Sequence, residues 1–353
     1  MEIMIGIEDS AKESDIERLA EAGATEFFCG IMPRDWVSIY NYQISLNKRE
    51  WQANQFHSFD KLSAATKKIH LLKRKIVVAF NAHYYTREQI ALIKKYLDNL
   101  KDIGVDALIV GNIPLLLLVR DLGINIPIYI SGEAGAYNYR ALQFYKKYNV
   151  KRILFPRDMS TDEMSRIIKK GAAFNLEYEA FAMSERCVFS AGYCRTSHGY
   201  SNSNFCNQGW KKDLYLRLPG DYLNKLGDGR MKSVDEVIPK PSLKIVKNWY
   251  NNAAMYRAFT DCNFFPSSTM ILTFWGGCGL CSVSKLKEIG ITSLKIVSRG
   301  SKLDSKLSRL KIINQVLQNE IADAEFPIKI KNTRELCDLG YACYYRETRG
   351  KNG

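Results

Sequence analysis

The chain has 353 residues, of which 46% are hydrophobic and 25% charged, and its formal net charge is +14. This length can bury one barrel-sized core or a domain with a large insertion, and the composition excludes a mainly disordered chain. The excess of positive charge predicts attraction to anions, such as RNA, a phosphorylated or carboxylate-bearing metabolite, or an acidic peptide. Lysine pairs at 67–68 and 169–170 lie at predicted helix ends. They are either solvated surface charges or part of a surface that binds RNA.

No stretch of the sequence approaches the roughly 18 consecutive apolar residues of a membrane span. The first residues, MEIMIGIEDSAKESD, carry acids where a secretory signal has lysines followed by a long apolar run. We therefore expect a cytoplasmic protein without a membrane span. Nine cysteines in a reducing compartment favour metal binding over a disulfide framework.

Strand and helix patterns alternate along the chain. Short apolar runs predict strands at residues 2–7, 26–30, 75–81, 107–110, 128–130, 152–155, 175–181 and 293–297. Apolar residues at helical spacing predict helices at residues 61–72, 86–103, 138–148, 161–170, 284–289 and 301–319. Eight strand-helix units favour a TIM-like (β/α)8 barrel over an open doubly wound sheet, with functional groups at the C-terminal ends of the strands.

Two long segments interrupt this alternation. Residues 33–59 are aromatic and polar without clear periodicity, which predicts a long loop over the barrel mouth. We interpret residues 209–275, with their tyrosines, prolines and lysines, as an insertion before the last strand, over the same mouth. The predicted organisation is barrel units one to seven with a cysteine loop at 1–208, the insertion at 209–275, the last barrel unit at 276–325 and a C-terminal extension at 326–353.

A loop rich in glycine, serine and aromatic residues carries three cysteines, Cys187, Cys194 and Cys206. Downstream, the turn-like stretch WGGCGLC offers Cys278 and Cys281 as a further thiolate ligand. Four thiolates suit a tetrahedral zinc ion or an iron–sulfur cluster. The alternative is that these are scattered small apolar residues of a core, which is common for free cysteine.

Polar residues that follow barrel strands should converge on one mouth. We predict His83, Glu179 and Arg157 as catalytic candidates, and Asn81, Glu133 and Arg299 as substrate-binding candidates. His83 could transfer a proton near neutral pH or be a hydrogen-bonded structural residue. Arg157 and Arg299 suit a bidentate contact with a carboxylate or phosphate, or ordinary ion pairs. Glu179 lies within an apolar strand, where it needs a functional role or a buried partner.

Several motifs together resemble one known family. They are AGATEFF at 22–28, VAFN at 78–81, YISG at 129–132, RILFPR at 152–157, SLKIVSR at 293–299 and the spacing Cys187-x6-Cys194. These motifs resemble the collagenase-like peptidase family U32, which includes the oxygen-independent ubiquinone and RNA hydroxylation proteins. The likeness covers most of residues 1–208 and 276–320. Within SLKIVSR, Val297 and Ser298 stand where the family has glutamate and glycine.

This resemblance implies a TIM-like barrel that carries a [4Fe-4S] cluster on four cysteines. Cys187, Cys194 and Cys206 fall on the first three family ligands, and Cys281 falls on the fourth, with Cys278 as the alternative. Zinc is the alternative metal. The segment between the third and fourth predicted ligands, Cys206 and Cys281, is longer than is usual in the family.

The resemblance also implies a function. We expect an iron–sulfur enzyme or enzyme subunit that performs oxygen-independent hydroxylation, or a related modification, of an RNA, a peptide or a small anionic substrate. A partner protein of the same family is compatible with this expectation. A peptidase is the first alternative, although the chain has no Ser-His-Asp spacing, HExxH or GxSxG motif. A non-catalytic partner with a structural cluster is the second.

Overall fold

The computed structural model describes most of the barrel. The described residues are 1–184, 191–194, 277–319, 324–331, Cys337, 343–345 and Glu347. Eight parallel strands pair in sequential order and close into a barrel, with helices between them, so the predicted TIM-like fold is confirmed. The predicted insertion at 209–275 lies outside the described residues. Among those that are described, no helix is long and apolar enough to cross a membrane.

The strands lie within two residues of their predicted bounds. They are β1 (Glu2–Gly6), β2 (Glu26–Gly30), β3 (Lys75–Phe80), β4 (Ala107–Val110), β5 (Ile128–Ile130), β6 (Val150–Leu154), β7 (Glu177–Met183) and β8 (Ser293–Ile296). The barrel closes through β8, in which Lys295 pairs with Met4 of β1 on one side and with Phe181 of β7 on the other. Nearly every strand residue is buried, as expected for a parallel sheet covered by helices.

The helices are α1 (Glu13–Glu21), α2 (Arg34–Tyr40), α3 (Phe59–Leu71), α4 (Arg87–Ile103), α5 (Ile113–Asp121), α6 (Tyr139–Lys146), α7 (Thr161–Lys170), α8 (Val283–Glu288), α9 (Leu303–Gln318) and α10 (Glu325–Lys331). Five of the helices, α3 to α7, follow a residue whose side chain accepts a hydrogen bond from the first turn. Thr86 and Gln89 form a capping box before α4, and Ser160 and Glu163 form one before α7. Gly104 ends α4 in the left-handed conformation, with φ at 80°.

The prediction of a loop throughout residues 33–59 is wrong for part of that segment. Helix α2 begins after Pro33, and a short 3-10 turn covers Gln52–Asn54. Trp36 explains the helix, because its fully buried ring packs near Tyr96 of α4 and its Nε1 donates a hydrogen bond to the carbonyl of Ile44, 2.7 Å away. Trp36 is the one buried residue of this helix. The sequence pattern does not predict the helix because apolar residues do not recur at helical spacing.

A group of buried charges fills part of the barrel interior. Arg152 of β6 donates hydrogen bonds to Glu26 and to Glu177, the latter at 2.7 Å, and lies 3.4 Å from Glu179. Lys295 of β8 contacts the other oxygen of Glu179 at 3.2 Å. Glu179 therefore has the buried partners that its place in an apolar strand required. Each charge in this group depends on its neighbours, because an unpaired ion in such an interior is costly.

We expect that replacing Arg152 by methionine destabilises the barrel by about 3–5 kcal/mol, because the facing carboxylates lose their shared cation. Urea unfolding should show a lower midpoint for this variant. The control is Lys151→Ala, which removes a half-exposed lysine 3.5 Å from the same Glu177 and should cost about 0–1 kcal/mol. Equal unfolding midpoints for the two variants would mean that the buried charges do not stabilise the barrel.

Candidate functional site

Four of the predicted site residues line one cavity at the C-terminal ends of the strands. Asn81 follows β3, Glu133 follows β5, Arg157 follows β6 and Arg299 follows β8. The cavity has a volume of about 50 Å³, which is room for a few water molecules. The structure thus brings these side chains together as the barrel geometry predicts, and their roles toward a substrate stay predictions.

Lys48 connects three parts of the protein at this mouth. Its buried Nζ lies 2.7 Å from Oε2 of Glu133, 2.8 Å from Nε2 of His83 and 3.1 Å from the carbonyl oxygen of Cys194. His83 and Glu133 are themselves 3.3 Å apart. Lys48 also has a φ of 60°, a left-handed conformation that non-glycine residues adopt at a cost. The contacts of its ammonium group compensate for that cost and fix segment 45–50 across the mouth.

Each of the two predicted arginines beside the cavity has one buried donor without a described partner. The guanidinium of Arg157 lies 4.6 Å from the centre of the Phe181 ring, and that of Arg299 lies 5.5 Å from Phe28. Arg299 also donates a hydrogen bond to Asn47 at 3.1 Å. Among the described residues, the buried Nε of each arginine has no hydrogen-bond partner. A bound carboxylate or phosphate would satisfy these donors.

Burial lowers the pKa of two cations that line this cavity, Arg299 and Lys295. Burial lowers the pKa of Arg299 to about 10, against the opposing influence of Cys29 and Glu8. Burial also lowers the pKa of Lys295, while Glu179 opposes this shift. At neutral pH Arg299 therefore keeps its charge, and the cavity is positively charged where an anion would enter.

Glu179 lies deeper than the other predicted site residues. It is 1% exposed and contacts Arg152 and Lys295, and Lys295 rather than Glu179 lines the cavity. A direct reaction at Glu179 would need Lys295 to move aside. The catalytic role of Glu179 stays a prediction, and its described contacts are the ion pairs with Arg152 and Lys295.

The predicted metal ligands are described only in part. Cys187 and Cys206 lie outside the described residues. Cys194 is buried at the mouth, where Lys48 holds its carbonyl oxygen, and no disulfide involves it. Cys281 and Cys278 lie together beyond the end of β7. In the described ranges, no three His, Cys, Asp or Glu side chains are arranged to hold a metal ion.

An open groove lies beside the cysteine loop. Its lining combines tyrosines with basic residues and includes Tyr137, Tyr139, Arg140, Arg166 and Lys170, around a volume of about 740 Å³. Tyr193, which directly precedes Cys194, is 76% exposed and stacks on Tyr137 with a centroid distance of 6.1 Å. Aromatic faces beside cations are the usual platform for the bases and phosphates of nucleic acid.

Sequence reasoning missed two lysines of the site. Lys295 carried a usable signal, because it interrupts an otherwise apolar strand in the same way as Glu179 does. Lys48 carried none, since it stands in the polar run NKRE, where nothing distinguishes it from a solvated lysine. Its role becomes visible only when the fold brings Glu133 and Cys194 to it.

We expect that Lys48→Met loosens the cysteine loop, because the carbonyl of Cys194 loses its donor and Glu133 loses its cation. Hydrogen–deuterium exchange should then be faster at residues 191–194. In the control Lys61→Met, which removes an exposed lysine paired with Asp9 at 2.8 Å, exchange in this loop should stay as in the unaltered protein. Unchanged exchange in the Lys48 variant would show that this contact does not anchor the loop.

Comparison with known proteins places the chain in a family. The family model for peptidase family U32 matches residues 13–347. The tRNA hydroxylation protein P of Escherichia coli (strain K12) is 23% identical over 306 residues, covering 82% of this chain and 65% of the relative. The protein of the same name from Haemophilus influenzae is 30% identical over 291 residues, covering 77% of this chain and 61% of the relative. The chain thus spans less than two thirds of the length of either relative.

Among solved structures, the U32 peptidase Mk0906 is similar over 52% of this chain and 69% of that chain, with 10% identity and a TM-score of 0.37. The family model accounts for nearly the whole sequence and includes the residues that line the mouth. The chain belongs to peptidase family U32.

Proposed function

We propose that this protein takes part in the modification of tRNA, by oxygen-independent hydroxylation, at the mouth of its barrel. The observation that carries the proposal is a buried cationic mouth in a chain whose relatives are named tRNA hydroxylation protein P. Because the chain spans only part of those relatives, their activity is carried over as a hypothesis. A tRNA substrate agrees with the cytoplasmic location expected from the sequence.

Charge and shape support an RNA substrate over a peptide. The net charge of +14 favours a polyanion, and its attraction should weaken with salt. The groove beside the cysteine loop offers stacking surfaces at Tyr137 and Tyr193, with Arg140, Arg166 and Lys170 as cations for phosphates. A nucleotide held there would lie next to the loop that carries Cys194.

We further propose that Cys187, Cys194 and Cys206 hold a [4Fe-4S] cluster, with zinc as the alternative. The placement of Cys194 fits this role, because it is a buried cysteine outside any disulfide and Lys48 bonds its carbonyl oxygen at the mouth. When bound, such a cluster would supply electron transfer next to the substrate cavity. The fourth ligand stays a prediction at Cys281, with Cys278 as the alternative.

The mouth residues divide into two groups by chemistry. Arg157 and Arg299 suit an anionic group of the substrate or of a second reactant, since both present buried donors without a described partner. His83, Lys48 and Glu133 form a hydrogen-bonded group in which a proton can be held or passed on. When neutral, His83 accepts a hydrogen bond from Lys48 through Nε2, so its own proton is on Nδ1.

The peptidase alternative receives less support. A serine or cysteine nucleophile would need a base within hydrogen-bond reach. Among the described residues, the contacts of His83 at the mouth are with Lys48 and Glu133, which supply neither a hydroxyl nor a thiol. A non-catalytic partner with a structural cluster would explain the cysteines, but it gives no reason for the unused arginine donors of the cavity.

The first test of this proposal concerns the cluster. Anaerobically purified protein should contain about four iron ions per chain. Cys187→Ser, Cys194→Ser and Cys206→Ser should each lose most of this iron because a thiolate ligand is removed. Cys29→Ser is the control, since Cys29 is buried in β2 and is not one of the predicted ligands, so this variant should leave iron unchanged. A protein that holds one zinc ion and no iron would contradict the cluster.

The second test concerns the arginines. Arg157→Ala and Arg299→Ala should lower the yield of the modified nucleoside about tenfold or more, because a charge-assisted contact worth about 1.5–3 kcal/mol is lost. Cells that lack the protein are supplied with each variant, and their tRNA nucleosides are measured by mass spectrometry. Iron content and melting temperature should not change. Arg120→Ala, an exposed arginine paired with Asp121, is the control. Full modification by both mouth variants would exclude this cavity as the site.

A further inference from the structure

The cavity at the barrel mouth is too small to hold a nucleotide. Its volume of about 50 Å³ has room for a few water molecules, whereas pockets for small organic ligands have volumes of roughly 300–1,000 Å³. Most of a substrate nucleotide must therefore bind outside this cavity. An open groove with a volume of about 920 Å³ lies beside it, and Arg299 lines both the cavity and the groove.

This second groove, which we call the tryptophan groove, lies between the ends of two neighbouring strands and the segment before α3. Asp9 follows β1 and Arg299 follows β8, while Trp51 and His57 come from the segment before α3. Trp51 is half-buried, and the guanidinium of Arg49 lies 5.8 Å from the centre of its ring. The groove thus combines an aromatic ring with polar and charged side chains.

The walls of the tryptophan groove are held by buried polar contacts. Asn47 Nδ2 donates a hydrogen bond to Gln55 Oε1 at 2.8 Å, and Gln55 Nε2 donates one to Asn47 Oδ1 at 3.2 Å. On the opposite wall, Glu8 accepts hydrogen bonds from the amide of Gly300 at 2.9 Å and from Lys306 at 2.8 Å. These contacts fix the groove before a ligand arrives, so that binding needs little further ordering of the protein.

Two buried polar atoms of the lining residues have no described partner. Asp9 receives a hydrogen bond from Lys61 on Oδ2, at 2.8 Å, whereas its buried Oδ1 has no partner among the described residues. The same holds for Nε of Arg299. A buried acceptor and a buried donor at one groove suit a ligand that carries both a hydroxyl group and an anionic group.

We propose that the tryptophan groove binds one nucleotide of a single-stranded stretch of RNA, next to the nucleotide that reacts at the mouth. The base stacks on Trp51, and the phosphate contacts Arg299. Asp9 accepts a hydrogen bond from the ribose 2′-hydroxyl, a group that RNA has and DNA lacks. This inference rests on the proposed tRNA substrate and specifies the form in which that RNA is bound.

The position of the tryptophan groove supports a single strand. The groove with Tyr137 and Tyr193 follows β5, and β5 is four strands away from β1 in either direction around the closed barrel. The mouth therefore lies between two grooves that both offer aromatic faces and cations, and a strand that occupies both crosses it. The bases of a duplex are paired and stacked on one another, so they cannot reach either aromatic surface.

The first test measures RNA affinity by fluorescence anisotropy with the full-length protein, purified anaerobically. The probe is a fluorescein-labelled single-stranded RNA of mixed sequence, about ten nucleotides long, with unfractionated tRNA as competitor. Trp51→Ala should weaken binding about fivefold or more, because one base loses its stacking surface. Trp51→Phe keeps an aromatic face and should restore most of the affinity. Annealing the probe to its complement should also weaken binding.

The second test compares the RNA probe with DNA of the same sequence. The unaltered protein should prefer RNA, and Asp9→Ala should lower the ratio of RNA affinity to DNA affinity about fivefold or more, because the acceptor of the 2′-hydroxyl is lost. Asp121→Ala is the matched control, since it removes an exposed carboxylate paired with Arg120 and changes the net charge equally. Its ratio should equal that of the unaltered protein.

The results separate this inference from the proposed function. Equal RNA affinity of Trp51→Ala and the unaltered protein would overturn the groove as a binding site and leave the tRNA substrate standing. An unchanged affinity ratio in Asp9→Ala, or equal affinity for the duplex and the single strand, would overturn it in the same way. An unaltered protein that binds neither the probe nor tRNA would contradict the proposed function, and this inference with it.

Discussion

The pairing of charges inside a closed barrel is the constraint on which the mouth depends. Arg152 contacts carboxylates from β2 and β7, and Lys295 contacts Glu179 one layer nearer the mouth. Each of these buried cations has a carboxylate beside it, which offsets the loss of water. At the mouth Lys48 and Glu133 continue this pattern, but among the described residues Arg157 and Arg299 do not bond to a carboxylate. The donors without a described partner, on Arg157 and Arg299, thus lie at the C-terminal ends of the strands, where we propose that a ligand binds.

Lys48 explains how this mouth is coupled to the cysteine loop. It joins Glu133, 85 residues later in the chain, to the carbonyl of Cys194, 146 residues later, while His83 completes the hydrogen-bonded group. A structural change in the loop, such as one caused by binding of the proposed cluster, would therefore be transmitted to His83 and Glu133 through the ammonium group of Lys48. The exposed Tyr193 on the same loop extends this connection to the groove proposed for RNA.

The barrel could be predicted from the sequence because its strands are short apolar runs separated by helical periodicity, and that pattern is local. The convergence of Asn81, Glu133, Arg157 and Arg299 followed from the parallel topology. The partners of Lys48 could not be predicted, because they depend on contacts across the barrel mouth. The pairing of Cys278 with Cys343 could not be predicted either, because a β-bridge between two residues that are 65 positions apart leaves no local sequence pattern.

The measurement that tests the central claim most directly is mass spectrometry of tRNA nucleosides from cells with and without this protein. The cells are grown without air, and in parallel with isotope-labelled dioxygen. The account predicts a nucleoside one oxygen atom heavier than its precursor, present only with the protein, formed without air and free of the label. Identical nucleosides in both strains, or label from dioxygen in the added hydroxyl group, would contradict it.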